Sequence, residues 1–322
     1  MKLGVFAVLF ADKPFSEVLD KIAAAGLDAV EIGCGGFPGK AHCNPETLLS
    51  QPDAVTKFRD AVAARGLEIS ALSCHGNPIH PNRAKAAQDH QDFVNTVLLA
   101  EKLGVQTVIT FSGCPGDSEG AQHPSWVTCP WPDEYGEVLT WQWEQKVIPY
   151  WQEQSRFLRD HGVRVAIEPH PGFVVYNTET LLRLRAACGD NIGVNFDPSH
   201  LFWQAMDPVM GIKELAAAGA LFHFHAKDTA IDPQNTGRNG VLDTKTYRDE
   251  LHRSWIFRTV GYGHGEQTWR DIISALQVSG YQGVVSIEHE DSLMSVEEGF
   301  NKAVTFLQKQ LIREKIGEIW WA

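Results

Sequence analysis

Apolar residues fall along this chain in short continuous blocks, each preceded by a helical pattern that stops at a glycine. The segments AAAGLDAVEIG (23–33), AARGLEISAL (63–72), EKLGVQTVITF (101–111), RDHGVRVAIEP (159–169) and QVSGYQGVVSIE (277–288) share this grammar, with stops at Gly26, Gly66, Gly104, Gly162 and Gly280. Glycine ends a helix in the left-handed conformation without the strain that a Cβ brings. The apolar runs that follow are continuous rather than alternating, as expected of parallel strands covered on both faces. A helix-then-strand unit recurring about every 40 residues is the pattern of successive βα units.

Three further runs, KLGVFAVLF (2–10), NIGVNFD (191–197) and ALFHFHAKD (220–228), bring the strands to eight. Eight such strands alternating with helices predict a (β/α)8 TIM barrel occupying residues 1–322 as a single domain. A doubly wound open sheet is the structural alternative. No strand leads into a G-x-G-x-x-G turn, and GCGGFPG (33–39) has the wrong spacing and a proline where a helix would open. Two connections are long, residues 112–145 after the fourth strand and 229–268 after the seventh. Both leave strand C-termini and therefore belong to the active-site face of a barrel, where long loops are usually functional. The first carries Trp126, Trp131, Trp141 and Trp143. Flat aromatic faces suit the C–H faces of a sugar, and equally a subunit contact.

Composition narrows the class. A chain that is 43% hydrophobic and 21% charged is ordinary for a globular protein with a substantial core. Its 28 Lys and Arg against 40 Asp and Glu, a net charge of −12, oppose nucleic-acid binding and leave no polybasic membrane signal. The six cysteines show neither CxxC nor metal-ligand spacing and read as reduced thiols of a cytoplasmic protein. MKLGVFAVLFADKPF lacks a small-x-small cleavage site, and no run is long and apolar enough to span a membrane. The end of the chain, EIWWA (318–322), offers two tryptophans for a homo-oligomer contact.

Chemistry gathers at the ends of four late strands. VRVAIEPHPG reaches Glu168, IGVNFDPSH reaches Asp197, LFHFHAKD reaches His225 and GVVSIEHED reaches Glu288. Any one of these alone reads as a helix cap or turn, and Asp-Pro-Ser after Phe196 is good turn material. In a barrel, however, four such ends converge on one mouth. Three carboxylates held at ~4 Å repel by ~4 kcal/mol per pair at an effective dielectric near ~20, so a cation between them is favoured over four independent caps. Three oxygens and one imidazole without thiolate suit Mn²⁺, Mg²⁺ or Co²⁺, with Zn²⁺ an option.

The ordered set IEPH, NFDPSH, HFHAKD and SIEHED resembles the sugar phosphate isomerase/epimerase family, with its xylose isomerase-like TIM barrel. ALSCHGNPIHP (71–81) and TFSGCPGD (110–117) are also similar to that family, so the resemblance spans nearly the whole chain. It implies one divalent metal ion, Mn²⁺ first, held by Glu168, Asp197, His225 and Glu288. It also places His200, three residues past Asp197, against a substrate oxygen. The implied reaction is proton abstraction next to a sugar carbonyl through a metal-stabilised enediolate, with Glu168 and Glu288 exchanging the proton. His75, His170, Lys227, Arg258, His264, Trp126 and Trp131 join His200 as candidate substrate contacts. Two departures bear on the substrate. Ketose 3-epimerases of the family carry a Glu and an Arg where this chain has Val174 and Ile231. A lyase performing β-elimination on a 3-keto-sugar or 3-keto-glycoside at the same metal site is therefore the alternative. A non-catalytic sugar-binding barrel would have lost one of the two proton-transferring carboxylates, and both are present.

Overall fold

A computed structural model describes residues 1–314 and 317–321. Eight parallel strands close into a barrel: β1 (Lys2–Phe6), β2 (Ala29–Gly33), β3 (Glu68–Ser73), β4 (Thr107–Thr110), β5 (Arg164–Ile167), β6 (Ile192–Phe196), β7 (Leu221–Ala226) and, last in the chain, β10 (Val284–Ile287). Each pairs with its sequence neighbour, and β1 pairs with β10 to complete the ring. This is the (β/α)8 barrel expected from the sequence. Among the described residues, no helix is long and apolar enough to cross a membrane.

The helices that wrap the barrel end where the glycines predict. Arg83–Leu103 shows both signals: the Asn82 side chain accepts from the amides of Ala84 and Lys85, and Gly104 at φ 75° stops the last turn. The tryptophans of these helices face inward. Trp151 and Trp269 are fully buried against the strands, each burial worth roughly 2–3 kcal/mol.

The barrel interior is divided between two chemistries. Ala71, Ile109 and Ala166 form a small apolar cluster closed by Phe222. Glu31, Ser73, Asn195, His223, His225 and Ser286 are all buried and supply a polar core. One glycine is required by close approach. A Cβ on Gly36, at φ 62°, would lie 1.9 Å from the His75 carbonyl oxygen, so the loop after β2 can lie against the loop after β3 only without a side chain there.

The two long connections carry structure of their own. The segment 229–268 contains an antiparallel ribbon, β8 (Asp228–Ile231) with β9 (Trp255–Arg258), and the helix Pro233–Asn239 between them. Its strands are four residues each and the helix lies between them, so hydrophobic period alone does not reveal the pairing. The segment 112–145 is irregular up to the helix Asp133–Trp141, which runs through a π-helical turn, Gln142–Val147, into Ile148–Asp160. Trp320 and Trp321 are exposed and pack on each other edge to face, while Ala322 lies outside the described residues.

Candidate active site

The parallel strands deliver the four candidate ligands to one end of the barrel. Glu168, Asp197 and Glu288 each occupy the position directly after a strand, β5, β6 and β10, and His225 is the penultimate residue of β7. One ligand atom from each lies within 4.8 Å of the others. Glu168, Asp197 and His225 are buried, and the Glu288 side chain is 12% exposed.

Each candidate ligand is braced. Glu168 Oε2 accepts from Asn195 Nδ2 at 2.8 Å and lies 3.0 Å from His75 Nε2. The His200 ring, fully buried, places Nε2 3.1 Å from Glu168 Oε1 and 3.1 Å from Asp197 Oδ2. Asp197 Oδ1 accepts the Ser199 amide, so its other oxygen turns toward the cluster. The Lys227 ammonium, 1% exposed, lies 2.8 Å from Glu288 Oε2, 3.1 Å from Asp197 Oδ2 and 3.0 Å from Glu290 Oε2.

Three of the four candidate ligands present an atom with no hydrogen-bond partner, although Lys227 forms ion pairs with two of them. Asp197 Oδ2, His225 Nδ1 and Glu288 Oε2 are buried without a hydrogen-bond partner; their neighbours are close but off the hydrogen-bond directions. His225 Nδ1 is 3.2 Å from Glu168 Oε2 and 3.1 Å from Glu288 Oε2. Two donors about 2.1 Å from one ion, at right angles, are about 3 Å apart. The residues thus fit a divalent ion, and the oxygen-rich donor set without sulfur suits a hard or borderline one.

Without an ion, protons must balance the carboxylates. Burial disfavours a charged His200, but Asp197 and Glu168 together outweigh it and lift the ring to about 9. Burial likewise opposes the charge on Lys227, which Asp197, Glu288 and Glu290 nonetheless hold well above its ordinary value. His170 is the opposite case: burial, then the His200 charge, push it down to about 3. His223 is held at about 4, chiefly by burial. The signs set a stability maximum. A raised His200 contributes stability that is complete below 6.5 and lost as pH rises through about 9. Lowered His170 and His223 contribute stability that is complete above 6.5 and lost as pH falls toward about 3 and about 4. Chelator-treated protein should therefore melt highest near pH 6.5 and lower on either side; calorimetry showing a melting temperature that climbs steadily from 6.5 to 9 would contradict these assignments.

A cavity of about 150 Å³ opens on Glu168, Glu288, Lys227, His75, His170 and Glu290. His170 directs Nδ1 to the Pro171 carbonyl at 2.7 Å, and its ring lies 4.1 Å from that of His200. Other sequence candidates lie elsewhere. Arg258 Nε donates to Asp291 at 3.0 Å, and His264 Nδ1 is 2.8 Å from buried Asp228 while its ring stacks on Phe202. Trp126 packs with Trp203, Trp255 and Phe257 and lines a separate cavity of about 400 Å³ with Trp143 and Arg183. Trp131 is 74% exposed. Val174 lines that second cavity, and Ile231 is exposed on β8.

Sequence reasoning overlooked Glu31, Asn195 and Glu290. The first two had a signal. Each is a polar residue inside a short apolar run, AVEIG or IGVNF, and a buried polar group there must be hydrogen-bonded or, if charged, paired. Glu290 had none, because three residues past a strand the side-chain direction no longer follows the strand period.

Residues 19–310 match the family model described as xylose isomerase-like TIM barrel. YfiH of Bacillus subtilis (strain 168), itself uncharacterised, is 36% identical over 315 residues, covering 97% of this chain and 99% of its own. Among solved structures, a zinc-bound IolI protein superposes with a TM-score of 0.65 at 18% identity, covering 97% of this chain and 98% of that one. D-psicose 3-epimerase, solved in the presence of D-fructose, gives a TM-score of 0.58 at 15% identity, covering 96% and 98%.

Proposed function

This chain belongs to the xylose isomerase-like TIM barrel family, and from that premise we propose that it is a divalent-metal-dependent sugar isomerase or epimerase that moves a proton on the carbon next to a carbonyl. The observation that carries the reading is the convergence of Glu168, Asp197, His225 and Glu288, three of them with unsatisfied ligand atoms, beside a cavity. The zinc in the IolI structure and the sugar epimerase of the same fold support it.

Glu168, Asp197, His225 and Glu288 would hold the ion, with Mn²⁺, Co²⁺, Mg²⁺ or Zn²⁺ matching the donors. When bound, the ion supplies Lewis-acid polarisation of a carbonyl. The chain supplies the rest. Glu168 and Glu288 line the cavity and flank His225 Nδ1, so a sugar carbon between them has a carboxylate on each side to take and return its proton. His200 keeps Glu168 and Asp197 in place, and Lys227, which lines the cavity, adds positive charge where the substrate gains negative charge. His170 is neutral, and its Nδ1–H is committed to a carbonyl; Nε2 is therefore an acceptor for a substrate hydroxyl.

The test is solvent exchange. Incubated with manganese and a panel of aldoses, ketoses and their phosphates in D₂O, the protein should place deuterium on the carbon next to the carbonyl of one of them. A saturated isomer as product supports isomerisation or epimerisation. An unsaturated keto-sugar from a 3-keto-glycoside would replace this reading by elimination at the same site, and turnover with that hydrogen fully retained would contradict proton transfer altogether.

A further inference from the structure

Beneath the candidate ion site, inside the barrel, lies a carboxylate that never reaches the cavity. Glu31 on β2 is completely buried, and both its oxygens face His225 Nε2, at 3.0 and 2.9 Å. Ser73 Oγ on β3 donates to Oε1 at 2.6 Å, and Ser286 Oγ on β10 donates to Oε2 at 2.7 Å. A buried charge in the middle of a fully covered strand is costly unless it is paired and hydrogen-bonded, and here every partner is accounted for.

The pattern fixes where the imidazole proton resides. A carboxylate that receives two hydroxyls and one ring nitrogen is an acceptor throughout, so the hydrogen between Glu31 and His225 belongs to Nε2. Nδ1 faces the Glu168 and Glu288 oxygens, with no hydrogen-bond donor in line, so with an ion bound it would give up any proton and present its lone pair to the ion. Phe6, stacked on the His225 ring with centroids 5.8 Å apart and planes at 28°, holds the ring from the side.

We propose that Glu31 is a positioning residue for the ion site: from inside the barrel it holds His225 as the Nε2–H tautomer and aims the Nδ1 lone pair at the point where Glu168, Asp197 and Glu288 converge. The inference rests on the metal reading above. Glu31 touches neither ion nor substrate; it acts through His225, raising the ring's strength as a donor and fixing its direction. Four strands, β2, β3, β7 and β10, meet in this contact, so the same residues that close the barrel also orient a ligand.

The experiment measures zinc affinity and ring chemistry in the full-length chain. Glu31→Gln keeps the shape and an oxygen for Nε2–H but removes the charge. Its NH₂ can turn to one serine hydroxyl, which rotates to accept. In a variant shown to be folded by circular dichroism, zinc affinity measured by competition with a chelator should fall ~10–100-fold, with Glu31→Asp recovering part of the loss. Independently of any variant, nitrogen-15 NMR of the zinc-loaded wild type should show the His225 proton on Nε2 and zinc on Nδ1. A folded Glu31→Gln protein that binds zinc as tightly as wild type, or a His225 proton on Nδ1, overturns the role of Glu31 and leaves the metal reading standing. Failure of the wild type to bind zinc overturns both.

Discussion

Replacing Glu288 by glutamine should lower turnover at least ~10²-fold while the chain stays folded, the usual contribution of a general acid–base group. Glu288 follows β10, directs Oε2 to within 3.1 Å of His225 Nδ1, and borders the cavity. The Lys227 ammonium, 2.8 Å from that same oxygen, repels an amide NH₂ and so selects the rotamer that keeps the glutamine oxygen inward. The variant thus retains an oxygen for the ion but cannot accept a carbon-bound proton at neutral pH. Glu168→Gln should show the same kinetic loss, with more damage to the site. Its Oε2 accepts from Asn195 and its Oε1 lies 3.1 Å from His200 Nε2, so one contact must be weakened whichever way the amide turns. Equal turnover in wild type and both variants would remove the two carboxylates from the chemistry.

His225→Ala should lower affinity for Mn²⁺ or Zn²⁺ by at least ~10²-fold, more than typically follows loss of a group that only supports a ligand. The substitution deletes a donor and also strands Glu31, whose two oxygens lose their imidazole partner inside the barrel. His200→Ala removes a ring that contacts Glu168 Oε1 and Asp197 Oδ2 but presents no atom toward His225 Nδ1. It should keep most of the ion and lose turnover, because Glu168, the proposed base, loses the ring that holds its Oε1. Metal content after gel filtration, compared with turnover in the same samples, separates the two roles. The reverse pattern, with His200→Ala empty and His225→Ala loaded, would exchange their assignments.

How much of this was legible in the sequence depends on which regularity carried the information. The barrel was, because a glycine at φ 65–76° ends each of the five segments in which the helix-to-strand grammar appears, and continuous apolar runs mark the strands. The convergence of Glu168, Asp197, His225 and Glu288 was legible for a related reason. They stand at or just past strand ends, where closure of the ring leaves little freedom. Reach was lost a few residues further on. Arg258 and His264 lie beyond β7, where direction is set by local partners. Asp291 takes the guanidinium, and Asp228 accepts the amides of Thr229, Gly261 and His264, the His264 ring and Trp269 Nε1, folding that return path into itself. Trp126 is drawn to Trp203 and Trp255, which stack on each other at 4.5 Å, rather than to the cavity. Glu31 escaped for another reason: a reading centred on strand ends passes over a charge in mid-strand.

Everything here depends on a cation among Glu168, Asp197, His225 and Glu288, and one measurement addresses that directly: thermal unfolding with and without EDTA, followed by Mn²⁺ or Co²⁺, on protein whose metal content is known by elemental analysis. The account predicts about one divalent ion per chain, a lower melting temperature after chelation, and recovery by about 4 °C on adding metal, since 100-fold excess over Kd contributes roughly 2.7 kcal/mol against an unfolding entropy of about 0.7 kcal/mol/K for a chain of 322 residues. Purified protein free of metal, with a melting curve unmoved by either EDTA or Mn²⁺, would contradict it.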